Sequence, residues 1–195
     1  VKIKNEINPK YFLLENVKMN KESQNIISDS LGVQPIEINS NLVSAQNRKR
    51  LYWTNIPDIK QPKDKNILLK DIIESGYVDR DKSFRVDANY FKGGNLKQYF
   101  KKSRRQLVFE KPHGFNKGGF SYKDKFNTLR SCTSYNYAVL DGIEWRKLTP
   151  IECERLQTVP DNYTNFVSNA QRYKMLGNGW TVDVICHILE CMDIS

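Results

Sequence analysis

The sequence is poor in the residues that make metal and redox sites. It has two histidines, His113 and His187, and four cysteines, Cys132, Cys153, Cys186 and Cys191, with no CxxC pair. A zinc site is therefore not expected, and reduced thiols in a cytoplasmic protein are the simplest reading. No run approaches the ~18 apolar residues that a membrane-spanning helix needs. The opening residues, Val1-Lys2-Ile3-Lys4-Asn5-Glu6, lack the apolar stretch of a signal peptide. They also lack an initiator Met, which suggests an internal fragment or a processed chain. Internal repeats and low-complexity tracts are missing as well.

What is present is a foldable chain with charge concentrated in one place. Apolar residues make up 39% of the 195, enough for a packed core and too many for a disordered chain. The net charge is +9, and it is not evenly spread. Residues 1–79 hold 12 basic and 10 acidic groups, residues 80–125 hold 13 and 4, and residues 126–195 hold 6 and 8. This excludes a uniformly basic protein and marks the central segment as a candidate polyanion-binding surface.

The ends of the chain read as regular α/β structure. Tyr11-Phe12-Leu13-Leu14 is a short apolar run suited to a buried strand. A helix is expected from about Lys21 to Leu31, with Ile26, Ile27 and Leu31 on its apolar face and Gly32 closing it. Pro35–Ile38 and Leu51–Thr54 read as further strands, and the first strand, helix and second strand suit a βαβ unit of a doubly wound sheet. From Lys60 to about Lys125 periodicity fades. This part reads as a small, irregular, partly β insertion, with one helix over 67–73. Thr149-Pro150-Ile151-Glu152 is a helix start, with Thr as N-cap, Pro at the first helical position and Glu three residues after the cap. A last helix is expected from about Thr181 to Met192, with Val184, Ile185, Ile188 and Leu189 on one stripe.

Four places could carry chemistry. Glu15-Asn16-Val17 follows the first strand, and ligands of open α/β sheets bind at carboxyl ends of strands. A carboxyl group there could hydrogen-bond a ring nitrogen of a base, or simply pair with a lysine. In Gln46-Asn47-Arg48-Lys49-Arg50, an extended backbone puts Gln46, Arg48 and Arg50 on one face and Lys49 on the other. Two guanidiniums on one face can grip a phosphate or the acceptor atoms of a base; a solvated basic turn is the plainer reading. In the basic segment, Lys101-Lys102-Ser103-Arg104-Arg105 is the densest cluster, interleaved with rings from Phe84 to Phe126. Cations suit phosphates and exposed rings suit bases, although most of the rings are expected to be core. Gly177-Asn178-Gly179 is expected to open the last helix, where backbone N–H groups could meet a carboxylate; it could equally be an ordinary loop.

Taken in order, these pieces resemble the DNA cytosine-5 methyltransferases of bacteria and phages. Glu15-Asn16-Val17, Gln46-x-Arg48-x-Arg50, a variable basic region, Arg146-Lys147-Leu148-Thr149-Pro150-x-Glu152-x-x-Arg155-Leu156-Gln157-x-x-Pro160 and Gly177-Asn178 match the family's motifs VI, VIII, IX and X. The resemblance implies a Rossmann-like S-adenosylmethionine methyltransferase sheet with an inserted target-recognition domain. Residues 1–59 would be catalytic-domain strands, 60–166 the target-recognition domain with the motif IX helix, and 167–195 the return to the catalytic domain. It implies methyl transfer from S-adenosylmethionine to C5 of a cytosine flipped out of duplex DNA. Glu15, Arg48 and Arg50 would be catalytic, with Glu15 on N3 and the amine of the cytosine and Arg50 contacting the base. Gln46, Lys101, Lys102, Arg104, Arg105, Thr128 and Arg130 would face DNA. Gly177, Asn178 and Gly179 would lie at the cofactor, and Asn16 and Arg155 would be structural.

The family's nucleophile is the Cys of a Pro-Cys motif upstream of motif VI, and no cysteine here follows a proline. The glycine-rich cofactor loop is missing too. The resemblance therefore implies a C-terminal half that needs an N-terminal half, in cis or in trans, and is inactive alone. The alternative is a non-catalytic DNA-binding or regulatory subunit with the same fold; an RNA-modifying relative is a third choice.

Overall fold

A computed structural model describes residues 1–92, 96–110 and 144–193. A short helix, α1 (Lys2–Ile7), precedes the first strand, β1 (Leu13–Val17). Helix α2 (Lys21–Leu31) follows, capped at its start by the Asn20 side chain and closed at Gly32 in the left-handed region. Strand β2 is Ile36–Asn39, β3 is Gln46–Asn47 and β4 is Lys49–Thr54. In the sheet β4 lies between β1 and β2 and is antiparallel to both, so β1 and β2 run parallel with α2 as their crossover. The central place of β4 follows from its sequence. Arg50 through Thr54 are all buried, as a strand covered on both faces requires. Strand β1 is at the edge, with Leu14 38% and Val17 52% exposed.

Alternation along β4 sends its residues to two helices. Leu51 and Trp53 pack with Leu31 and the half-buried Ile27, and the Trp53 indole N–H donates to the Ser28 hydroxyl at 2.9 Å. Tyr52 packs on the opposite face with Ile38, Val43, Val184, Ile185 and Ile188. The last three belong to the final helix, α6 (Val182–Leu189). A helix on each face of the sheet is the doubly wound arrangement expected from the sequence.

The middle of the chain builds a second core. Strand β5 (Ser83–Phe84) pairs parallel with β3, and β6 (Leu107–Glu110) pairs antiparallel with β7 (Glu144–Lys147). Helix α3 (Leu96–Lys102) carries the start of the basic cluster. Tyr90, Tyr99 and Phe109 are buried core rings, whereas Phe100 is exposed. Thr128, Arg130 and the rings from Phe115 to Phe126 lie outside the described residues.

Helix α4 (Pro150–Leu156) starts as the sequence predicts. The Thr149 hydroxyl accepts from the Glu152 N–H at 3.1 Å, and Glu152 Oε2 accepts from the Thr149 N–H at 2.8 Å. Glu152 is fully buried and takes two further bonds from Arg146, at 2.8 and 2.9 Å. Next comes α5 (Asn169–Asn178), whose Tyr173 and Leu176 join Leu69, Val86, Tyr90, Leu148 and Leu156 in one core. Buried Arg172 of α5 donates to Glu154 at 2.8 Å, so these two charges are neutralised where they lie.

Several expectations are corrected. The first strand starts at Leu13 and runs to Val17, so Glu15 lies within it and not after it. Ile26 is 63% exposed, because the buried face of α2 is carried by Ser28 and Leu31. The helix expected over 67–73 is a single 3-10 turn, Leu69–Asp71. Leu189 is part-exposed at the end of α6. Gly177-Asn178-Gly179 closes α5 and does not open α6, whose N-cap is Thr181. The helix was hidden because its buried stripe is Arg172, Tyr173, Leu176 and Gly177, only two of them large and apolar.

Candidate functional site

The carboxyl ends of β1 and β2 meet the start of β4 at one edge of the sheet, and the candidate residues gather there. Glu15 and Arg50 are diagonal neighbours across β1 and β4: Glu15 is opposite Tyr52 and Arg50 is opposite Val17. Arg50 Nε lies 2.7 Å from Glu15 Oε1, with the two side chains 10% and 17% exposed. Arg50 Nη1 donates to the Lys49 carbonyl at 2.9 Å. Among the described residues, Glu15 Oε2 and Arg50 Nη2 form no hydrogen bond. The site therefore offers an acceptor and a donor side by side at the strand ends. Tyr52 sits on the same face. Burial and then the Glu15 charge push its hydroxyl up to about 12, against the pull of Arg50 and Arg48.

The alternation expected of residues 46–50 is present: Gln46, Arg48 and Arg50 are buried, whereas Asn47 and Lys49 are exposed. The three inward residues differ in what they touch. Gln46 is fully buried, and its amide N–H group donates to the Leu156 carbonyl at 2.7 Å and Gln157 Oε1 at 2.9 Å. Its carbonyl accepts from the Val86 N–H. Gln46 thus joins β3 to the end of α4 and to Val86 just past β5, and it presents no surface to DNA; the DNA-facing expectation for it is corrected. Arg48 is buried and donates to three carbonyls: Val86 at 3.0 Å, Gly179 at 2.8 Å and Gly177 at 3.3 and 3.4 Å. A cation at the carbonyl end of α5 sits where the helix dipole favours it. Burial, then Arg50, push the Arg48 guanidinium down to about 10, and Glu15 partly offsets them. Burial likewise lowers Arg50, with Glu15 opposing.

The Gly-Asn-Gly turn is shaped by these contacts. A Cβ on Gly177 would lie 2.3 Å from the Ala88 nitrogen and 2.3 Å from the Asp87 carbonyl carbon, so only glycine lets α5 reach that segment. The Gly179 N–H donates back to the Met175 carbonyl at 2.7 Å. With the Gly177 and Gly179 carbonyls held by Arg48, the exposed Asn178 side chain is the group of the three with capacity to meet a ligand.

The basic cluster is anchored beside this edge. Asp87, next to Val86, accepts from Arg104 Nη2 at 2.8 Å and has Arg105 Nε 4.0 Å away. Arg105 also donates to Gln98 Oε1 at 3.2 Å. Lys101 and Lys102 are exposed at the end of α3. Asp87 was not singled out in the sequence. The available signal was that it is the lone acid between Lys82 and Phe109. Arg155 spans α4 and its surroundings, pairing with Asp161 at 2.6 Å and donating to the Ile72 carbonyl at 2.8 Å. The Asn16 side chain accepts from the Val17 N–H, a local contact.

The fold defines the class. Over 94% of its length the chain superposes on the Entamoeba histolytica methyltransferase EhMeth (TM-score 0.61, 16% identity, 62% of that chain). The match to Spodoptera frugiperda DNMT2 also covers 94% (TM-score 0.59, 20% identity, 66% of that chain). This is a methyltransferase fold of mixed α/β type. The family is narrower: residues 1–193 match the model for C-5 cytosine-specific DNA methylase, and the chain belongs to that family. Curated relatives include the type II methyltransferase M.HaeII of Haemophilus aegyptius, 30% identical over 94% of this chain and 61% of its own length. The type II methyltransferase M.Sau3AI of Staphylococcus aureus is 33% identical over 64% of this chain and 32% of its own length. The chain therefore spans less than two thirds of the length of the curated relatives it matches.

Proposed function

We propose that this chain is the C-terminal portion of a DNA (cytosine-5)-methyltransferase, supplying part of the cytosine pocket and the target-recognition region. The Glu15–Arg50 pair carries the reading. Its open carboxylate oxygen accepts and its open guanidinium NH2 donates, which suits a cytosine edge with a donor amine and an acceptor O2. Glu15 holds a proton at N3 and accepts from the amine, which leaves C6 electron-poor and open to a thiolate. Arg50 fixes the Glu15 rotamer and the orientation of the base. Arg48 acts through the Gly177–Gly179 turn, so it is a positioning residue. A base reaches a strand-end pocket of this kind only by leaving the stack.

S-adenosylmethionine, when bound, supplies the methyl group. Asn178 is the residue of this chain that fits its methionine part; Gly177 and Gly179 shape the turn that presents it. Lys101, Lys102, Arg104 and Arg105 face duplex DNA, Thr128 and Arg130 are further DNA-binding residues by the sequence reading alone, and Arg155 and Asn16 are structural. The thiolate does not come from the described cysteines. Cys153 is fully buried, with its thiol raised by burial and by Glu152 and Glu154. Cys186 is exposed on α6, where it lines a surface pocket with Pro62, Lys63 and His187 away from Glu15 and Arg50, and Cys191 packs half-buried just after that helix. The nucleophile belongs to an N-terminal half, in cis or in trans. The edge position of β1, with Leu14 and Val17 exposed, supports a further strand beside it. The enzyme so completed works on DNA in the cytoplasm and not at a membrane; no described helix is long and apolar enough to cross one.

The test combines the chain with an N-terminal half of the family, labelled S-adenosylmethionine and mixed-sequence duplex DNA. Methyl transfer is expected. Glu15→Gln should lower the rate by about a hundredfold or more while duplex binding changes little. No transfer across many sequences refutes the reading.

A further inference from the structure

Among the described residues, the strand-end site holds more guanidinium groups than carboxylates: Arg48 and Arg50 share one carboxylate, Glu15, and Arg104 further along pairs with Asp87. Between these two groups lies Arg85. It follows β5, whose parallel register with β3 puts Ser83 beside Gln46 and Phe84 beside Asn47. One more step along both chains brings Arg85 to the level of Arg48. The next residue, Val86, is pinned from two sides: its N–H donates to Gln46 and its carbonyl accepts from Arg48. The backbone that carries Arg85 is therefore held against the buried arginine, while Arg85 itself is exposed. Among the described residues it forms no hydrogen bond or ion pair. Its charge reaches the site. Arg50 is pushed down first by burial, with Arg85 among the lowering charges, and Arg48 feels burial, Arg50 and, more weakly, Arg85.

An exposed guanidinium fixed at its base and repelled by two neighbours favours an oxyanion partner. Resting on the DNA reading above, we propose that Arg85 grips the phosphodiester next to the base held at Glu15 and Arg50. It thereby bridges the pocket to the Arg104–Arg105 rim. A phosphate there neutralises the uncompensated charge and fixes the backbone of the extruded nucleotide, while the base contacts remain with Glu15 and Arg50. The same chemistry could take the carboxylate of S-adenosylmethionine, so the test separates the two.

The test combines the chain with an N-terminal half of the family and measures binding of mixed-sequence duplex DNA over a salt series from about 50 to about 300 mM. Arg85→Gln should reduce the slope of log K against log salt by about 0.9, one phosphate contact, and weaken binding about fivefold to tenfold near 100 mM. Arg85→Lys should restore most of the slope. Lys21→Gln, an exposed lysine on α2 packed on the other face of the sheet, should leave it unchanged. S-adenosylmethionine binding should be the same with Arg85→Gln as with the unmodified chain, and so should the urea midpoint. An unchanged slope in Arg85→Gln, with the unmodified chain binding DNA, overturns the proposal and leaves the DNA reading standing. Loss of cofactor affinity in place of slope overturns the phosphate assignment. No salt-dependent DNA binding by the combined protein with the unmodified chain overturns both.

Discussion

Gly177→Ala sets two physical effects against each other. Seen as a helix residue, Gly177 is a poor choice, and alanine should stabilise the end of α5 by up to about 1 kcal/mol. The packing points the other way. The new methyl group would lie 2.3 Å from two backbone atoms of Asp87 and Ala88 and 2.5 Å from the Asp87 oxygen. Backbone cannot swing aside as a flexible side chain can, so α5 and the 86–88 segment must separate by about 1 Å. Overpacking of this kind costs about 1–3 kcal/mol and occasionally more. Separation also stretches the Arg48 bonds, which hold Val86 on one side of the gap and Gly177 on the other. With the weakened Arg48 bonds roughly cancelling the helix gain, the net expectation is a loss of about 1–3 kcal/mol, or a Tm lower by about 2–12 °C for a chain of this size. Urea unfolding should show a lower midpoint with an unchanged m-value. A midpoint equal to or above that of the parent would refute the close approach of α5 to Asp87–Ala88, and with it the way this turn is shaped.

Arg48→Met should cost about 2–4 kcal/mol in urea unfolding, because it leaves the Val86, Gly177 and Gly179 carbonyls without their donor, offset in part by removing a buried charge. An unchanged midpoint would contradict the positioning role. Glu154 gives a pH signature. Burial alone would raise its carboxyl, but Thr164, Arg172 and the backbone N–H of Asn162 outweigh it and hold the group below its usual 4.5. A folded value below the unfolded one stabilises above the unfolded value and is lost as pH falls through the folded one. The stability gap between the parent and Glu154→Gln should therefore be full near pH 7 and narrow on acidification below about 4.5; a constant gap would count against it.

Parts of this structure were legible because local chemistry settles them. The Thr149–Glu152 capping box needs only four residues, so the start of α4 could be read directly. Alternation over Gln46–Arg50 is a property of extended backbone, and the burial of Gln46, Arg48 and Arg50 follows it. What was hidden depends on distant partners. The inward stripe of α5 contains Arg172, buried because Glu154 lies against it, and Gly177, buried because Asp87–Ala88 does. Neither reads as apolar, so the helix was missed and the Gly-Asn-Gly turn was assigned to the wrong helix end. The same reason turned Gln46 from an expected DNA contact into a buried strut: its partners Leu156, Gln157 and Val86 are far off in the chain. The strand holding Glu15 was placed too early because Tyr11 and Phe12 are apolar yet precede the ladder, and only pairing with β4 fixes its bounds.

The most direct test of the central claim is the chemical identity of the product. Duplex DNA treated with the completed enzyme and S-adenosylmethionine would be digested to nucleosides and analysed by mass spectrometry. The Glu15–Arg50 pocket predicts 5-methyl-2′-deoxycytidine, lost in Glu15→Gln. A methyl group on the exocyclic amine, on another base, or transferred equally well by Glu15→Gln would contradict the account.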